Sequence, residues 1–293
     1  MPMIKNRKGE TVVTNPKQNE LLKKLYGSVS GRMLLKVLTS PVISKIGGAY
    51  MSSPFSRPLI KRFIKSSNID TSQYIMHRFH SYNDFFTRKV RPEMRPIDTE
   101  PSHLISPCDS KLTVYKINRK SVFRIKDSYY RVSDMLANSF ISRRYEGGYC
   151  LIFRLEVDDY HRYCYIDNGI KTGNVHISGE LHTVNPIALG RYNIYKRNTR
   201  EYTVLHTDNF GDVVHMEVGA LMVGKIRNIH GECNIFRGQE KGMFMFGGST
   251  IVLLFEKDRI VPDSDILRNS AEGYETIVKF GEKIGVRAKY RKE

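Results

Sequence analysis

Two hydrophobic periods divide the chain. Up to about residue 90 the apolar positions recur at helical spacing, with Leu21, Leu22 and Leu25 followed by Leu34, Leu35 and Leu38, which predicts short helices. Gly27, Gly31, Pro41 and the pair Gly47–Gly48 punctuate them. In Pro58–Lys65, Leu59, Ile60, Phe63 and Ile64 share one helical face, and Lys61, Arg62 and Lys65 lie opposite. Such a helix either packs its apolar face on the protein or lies on an anionic membrane. From about residue 105 the period becomes two. Leu151, Phe153, Leu155 and Val157 alternate with Ile152, Arg154 and Glu156, the pattern of a half-buried strand ending at Asp158–Asp159. Val214, Met216 and Val218 repeat it, and the apolar run Ile251–Phe255 predicts a fully buried strand. Turns are expected at Gly147–Gly148, Asn168–Gly169 and Phe210–Gly211. The expected class is α+β, with a helical, membrane-facing region over residues 1–95 and a mainly antiparallel, β-rich catalytic core over residues 96–293.

Charge narrows the partners. The 293 residues carry 47 Lys and Arg against 30 Asp and Glu, a net charge of +17, so polyanions are the expected company, nucleic acid or anionic lipid. No basic helix-turn-helix or aromatic RNA-binding strand is recognisable, which argues against nucleic acid. Cys108, Cys150, Cys164 and Cys233 are scattered without a CxxC pair, the usage of reduced thiols in a cytosolic setting. The opening residues lack the apolar stretch of a secretory signal, and no run of about 18 apolar residues is present. Membrane contact is therefore expected to be peripheral. The basic tail from Arg287 to Lys292 reads as a solvated end.

The chemically interesting residues are few. Gly247-Gly248-Ser249-Thr250 stands between Phe244 and Phe246 on one side and the buried strand on the other. The glycines permit unusual backbone geometry, and a serine after them can turn its hydroxyl onto the preceding carbonyl. Taken alone, the four residues also read as a plain turn. Asp158-Asp159-Tyr160-His161-Arg162 follows a strand, so its side chains are held at the end of a rigid element. His161 is the best general acid–base candidate among nine histidines, with a surface histidine as the alternative. Asp109, in Ser106-Pro107-Cys108-Asp109-Ser110, has the chemistry to orient an imidazole. His161 with Cys164, or His77 with His80, is too sparse for a metal site. No phosphate-binding loop or dinucleotide fingerprint is present.

The order of these pieces says more than any one of them. Phe85-Phe86-Thr-Arg88, Arg95-Pro-Ile97, Ser106-Pro-Cys-Asp109, Asp159-Tyr-His-Arg162, Leu181-His-Thr-Val-Asn-Pro186, Val218-Gly-Ala-Leu-Met-Val-Gly224 and Lys241-Gly-Met-Phe-Met-Phe-Gly-Gly-Ser-Thr250 together resemble the phosphatidylserine decarboxylase proenzymes from about residue 20 to about residue 260. The resemblance implies self-cleavage between Gly248 and Ser249. It gives a β chain of residues 1–248 and an α chain of residues 249–293, whose first residue becomes a pyruvoyl group. That ketone is expected to form a Schiff base with the serine headgroup of phosphatidylserine and to leave phosphatidylethanolamine. No metal and no external cofactor are implied. Asp109, His161 and Ser249 match the family's charge-relay set, with Asp159 and Cys164 as accessory candidates. Cys164 stands where the family motif carries a second histidine, which leaves open what serves as base and what as acid.

The expected partners are phosphatidylserine and an anionic membrane surface on the cytoplasmic side of the cell membrane. Arg57, Lys61, Arg62 and Lys65 are the contact candidates, and a homo-oligomer is allowed. Two rivals stand beside this reading. One keeps the pyruvoyl chemistry for a soluble aromatic amino acid. The other is an unprocessed lipid-binding relative, disabled by the loss of the second histidine.

Overall fold

The structure, a computed structural model, describes residues 3–12, 41–118, 120, 122–125, 128–179, 198–219, 225–247 and 249–289. The leucine-rich stretch Leu21–Leu38, the motif at 181–186, residues 220–224, Gly248 and the end of the basic tail lie outside them.

The helices are short: α1 (Pro41–Ser52), α2 (Pro58–Ser66), α3 (Tyr82–Phe86), α4 (Val132–Leu136), α5 (Ser139–Ser142) and α6 (Ser264–Ala271). Pro58 opens α2, where its missing N–H would have had no helical partner anyway. Gly47 and Gly48, expected as a break, lie inside α1. A helical glycine costs about 1 kcal/mol relative to alanine, which weakens a helix without ending it. The amphipathic segment behaves as its pattern suggests. Leu59, Ile60, Phe63 and Ile64 are half-buried, and Phe63 meets Tyr82 and Phe85 edge-on at 5.4 and 6.2 Å. The apolar face of α2 therefore packs on α3, and Arg57, Lys61, Arg62 and Lys65 face solvent.

Strands make up the rest of the frame. In chain order they are β1 (Ile4–Lys5), β2 (Thr11–Val12), β3 (His103–Ile105), β4 (Ser110–Lys116), β5 (Val122–Ile125), β6 (Ser128–Arg131), β7 (Tyr149–Leu155), β8 (Arg162–Cys164), β9 (Gly169–Lys171) and β10 (Val175–Ile177). They continue as β11 (Arg200–Thr207), β12 (Gly211–Gly219), β13 (Ile226–Asn228), β14 (Cys233–Ile235), β15 (Glu240–Phe244), β16 (Ser249–Phe255), β17 (Ile260–Pro262), β18 (Glu275–Val278) and β19 (Lys283–Arg287). The main sheet runs β14-β9-β11-β12-β16-β7-β4-β18-β1-β2, with β10 on β11. Its pairings are antiparallel except β1 on β18, which is parallel. Smaller sheets are β13-β15-β8, β17-β19-β3 and β5-β6. The class is α+β, as expected. Its helical region does not begin at the first residue, because Ile4 and Lys5 pair with Glu275 and Thr276 and add the N-terminal hairpin to the core sheet.

The apolar run Ile251–Phe255 is the buried centre of the sheet, flanked by β12 and β7. Strand β7 corrects one expectation. Its polar alternates do not face water: Arg154 is 3% exposed, with its guanidinium on Glu275 and Glu156. On β12 the alternate Glu217 is likewise buried, holding Lys241 at 2.6 Å. A buried charge needs a partner, and once paired it can occupy a position that the binary pattern assigns to solvent.

Candidate active site

Ser249 is the first residue of β16 and is held from both sides, opposite Gly219 on β12 and Leu155 on β7. The chain enters it through Gly247, whose φ of 132° lies in the range L-residues avoid. Phe246 fixes the approach. Its N–H donates to Asn83 Oδ1 at 2.8 Å, and its ring meets Tyr82 and Phe86 edge-on at 5.0 and 5.4 Å. Helix α3 thus clamps the strand entry. It is itself set by Ser81, whose hydroxyl accepts the Asp84 N–H at its N-cap.

The same pairing brings His161 to this end of the sheet. Leu155, opposite Ser249, is the last residue of β7, and a short turn closed by Asp159 N–H on Glu156 O leads to His161. The imidazole is fully buried and lies against Phe86, with ring centroids 4.1 Å apart. Its Nδ1 is 2.9 Å from the main-chain oxygen of Asp159. A carbonyl only accepts, so Nδ1 carries the proton and Nε2 carries the lone pair. Nε2 has no hydrogen-bond partner among the described residues, and neither has the buried Oγ of Ser249. Two unpartnered polar atoms, a bare imidazole nitrogen and a hydroxyl, are thus buried at one end of the sheet. Native interiors seldom tolerate such atoms without a functional reason.

Electrostatics keep His161 neutral. Burial is the largest influence and lowers its pKa; Asp159 opposes, while Arg88 and Lys111 add to the lowering, and the result is about 4. The turn beneath it is held by charge. Asp159 Oδ2 accepts from Lys111 Nζ and from the Glu156 N–H, each at 2.7 Å. Burial alone would raise this carboxyl, but Lys111 holds it below the usual carboxylate range.

Asp109 stands just before β4 and has other partners. Arg95 grips it with two nitrogens, at 2.8 and 2.7 Å, and the Phe280 N–H donates to it at 2.8 Å. The hydrogen bond that orients the imidazole is donated by His161 Nδ1 to the Asp159 carbonyl, and among the described residues no hydrogen bond joins Asp109 to His161. Phe280, which Asp109 holds, packs edge-on against Tyr160 at 5.7 Å. Cys164 is buried on β8, and burial pushes its thiol well up. A thiolate there is disfavoured. All four cysteines carry free thiols. No group of three His, Cys, Asp or Glu side chains among the described residues converges as metal ligands would.

Lys111 and Asn83 were not singled out by pattern, and Arg95 entered only as part of the motif Arg95-Pro-Ile97, without a role. Each is an ordinary polar residue in sequence and acquires its role through a partner 48, 163 or 14 positions away.

Residues 82–286 match the family described as phosphatidylserine decarboxylase. The chain is 50% identical over 269 residues to phosphatidylserine decarboxylase proenzyme 2 of Clostridium acetobutylicum, with 92% of each chain covered. It is 42% identical over 268 residues to the phosphatidylserine decarboxylase proenzyme of Clostridium botulinum, covering 89% of this chain and 91% of that one. The corresponding protein of Clostridium novyi is 40% identical over 272 residues, covering 91% and 92%.

Proposed function

The chain belongs to the phosphatidylserine decarboxylase family, and from that premise we propose that it splits itself at Gly248–Ser249 and then decarboxylates phosphatidylserine to phosphatidylethanolamine. The observation that carries the reading is the pair of buried, unpartnered atoms, Ser249 Oγ and His161 Nε2. In the proposed self-cleavage, Oγ adds to the Gly248 carbonyl carbon while His161 Nε2 accepts the hydroxyl proton. The peptide bond becomes an ester. Loss of the Ser249 α-proton then forms a Cα=Cβ double bond and breaks Cβ–Oγ, so that Oγ leaves with the Gly248 carboxylate. Water hydrolyses the dehydroalanine at the new N-terminus to the ketone with release of ammonia. The position fits a terminal ketone, because the residue that would bear it begins a strand paired on both sides and its Oγ satisfies no structural hydrogen bond. A pyruvoyl group there would supply an electrophilic carbonyl and an electron sink for the departing carboxylate. His161 would remain beside it as proton carrier, oriented by the Asp159 carbonyl, with water excluded by Phe86 and Phe246. In this scheme Asp109 acts on the imidazole indirectly, through the Phe280–Tyr160 packing.

Intact mass of the purified protein under denaturing conditions tests the proposal. Two species are expected, one of them the Ser249–Glu293 fragment with pyruvoyl in place of serine. A single full-length species that persists with phosphatidylserine vesicles would instead identify an unprocessed relative.

No helix among the described residues is long and apolar enough to cross a membrane. For lipid access we propose the exposed basic face formed by Arg57 and by Lys61, Arg62 and Lys65 of α2, with the largely exposed Phe55 (83%) beside it. Basic side chains near an anionic bilayer contribute about 1 kcal/mol each. Replacing Lys61, Arg62 and Lys65 by Gln should therefore weaken sedimentation with phosphatidylserine liposomes roughly a hundredfold at low salt, and the difference should shrink at high salt. Unchanged sedimentation would move the contact elsewhere.

A further inference from the structure

Among the described residues, Arg95, Arg154, Arg162 and Arg200, withdrawn from solvent, are provided for, and Arg88 is not. Arg95 grips Asp109, Arg154 meets Glu275 and Glu156, and Arg162 meets Glu240. Arg200 donates to the carbonyls of Met135, Asn198 and Asp134. Arg88 is 1% exposed, yet its Nε and Nη1 have no partner, and its Nη2 has only a long 3.4 Å contact with the Asp158 carbonyl. No carboxylate among the described residues pairs with it. Two aromatic rings embrace the group, Tyr74 at 4.1 Å and Phe85 at 4.9 Å from centroid to guanidinium carbon. Ring faces attract a cation but leave the in-plane N–H groups unused. An ionised guanidinium out of water, with idle donors and no counter-ion, is unfavourable unless something else supplies the anion.

Its place in the fold says which anion. Arg88 follows α3 by two residues, and Phe86 of that helix lies on the His161 ring. The contact it does make, with the Asp158 carbonyl, is to the turn that carries Asp159 and His161. Its charge is among those that depress His161. The guanidinium thus stands by the turn that carries His161, next to Phe86. That ring touches both the imidazole and the Phe246 ring before Ser249, so a headgroup at His161 has Arg88 in its neighbourhood.

We infer that Arg88 binds the phosphodiester of the serine phospholipid headgroup, an inference that rests on the proposed decarboxylase reading. The headgroup offers two anions. Gripping the carboxylate would stabilise the group that must leave as carbon dioxide, holding the ground state more than the transition state. The phosphodiester does not change during the reaction and suits the planar donor fork of arginine. A contact of that kind adds equally to ground and transition state and shows itself in KM.

The test uses the full-length, self-processed protein with Arg88→Lys and Arg88→Met, short-chain phosphatidylserine in mixed micelles, and intact mass as control. Both variants should split, since self-cleavage needs no headgroup. Arg88→Lys should raise KM about tenfold with kcat nearly unchanged, and Arg88→Met should raise it further. Inhibition by glycerophosphoethanolamine, which has the phosphodiester without the carboxylate, should weaken in parallel, while inhibition by free serine should not. Loss of serine inhibition alone would assign Arg88 to the carboxylate and overturn the inference. So would an unchanged KM with lowered kcat and a displaced pH profile, the signature of a charge acting only through His161. Should the wild type neither split nor decarboxylate, the decarboxylase reading itself has failed. If the wild type is active and Arg88→Lys keeps its KM, only the inference has.

Discussion

Ser249→Ala should give a folded chain that never splits and never decarboxylates. The substitution removes the atom proposed to attack Gly248 and, with it, the only precursor of the pyruvoyl group. Activity should fall to background, because no later step can begin without the ketone. Stability should not suffer. Ser249 Oγ is buried and unpartnered, so deleting it leaves no donor or acceptor stranded, and the backbone keeps its pairing with β7 and β12. A cooperative melt alongside a single full-length mass is the expected outcome. Splitting of the Ser249→Ala chain at this junction would sink the assignment of the nucleophile. A chain that fails to melt cooperatively would show that the hydroxyl serves the fold, contrary to its lack of partners.

How far the sequence foretells this site depends on which atoms do the work. The strand behind Ser249 was legible, because Ile251–Phe255 is apolar without interruption and is buried on both faces. The place of His161 just past the end of β7 was legible as well, since it follows a period-two run that had to end near Asp158. The partner of its imidazole was not. That partner is the main-chain oxygen of Asp159, and every residue has one, so no side-chain pattern could point to it. Asp109 was found by type, but its partners were not, Arg95 lying 14 positions away and the Phe280 N–H 171 positions away. The alternating strands misled in one respect. Arg154, His215 and Glu217 sit at positions that read as exposed yet are buried, because pairing and enclosure, which periodicity does not record, decide where a polar group can lie. The two readings of α2 were separable only once Phe63 was seen against Tyr82 and Phe85, which uses the apolar face and leaves the basic one to solvent.

His161→Asn should reduce self-cleavage by about a hundred- to ten-thousandfold, the usual worth of a positioned general base. Asparagine can still donate to the Asp159 carbonyl but has nothing in place of Nε2. The pH dependence makes the test sharper. With a pKa of about 4 the imidazole is unprotonated throughout the neutral range, so the wild-type processing rate should hold level down to about pH 5 and fall only as pH approaches 4. A base so weak suits a reaction that each chain performs once. A fall beginning near 6.5, the value of an ordinary histidine, would mean that the ring is not enclosed as described. Stability should follow the same shift. Between about pH 6.5 and about 4 the unfolded chain binds a proton at this residue and the folded chain does not, so the contribution is fully present above the unfolded pKa. It is lost as pH falls, by about 1.4 kcal/mol per unit. Burial pushes His215 down too, so the total acid slope contains both histidines. Comparing two chains that cannot split, Ser249→Ala and Ser249→Ala with His161→Asn, isolates the first. The double variant should lose stability less steeply with acid, even though it starts lower for want of the contact with Phe86. Parallel curves would show that His161 titrates alike folded and unfolded, and the neutral, bare Nε2 on which the cleavage scheme depends would then have to be given up.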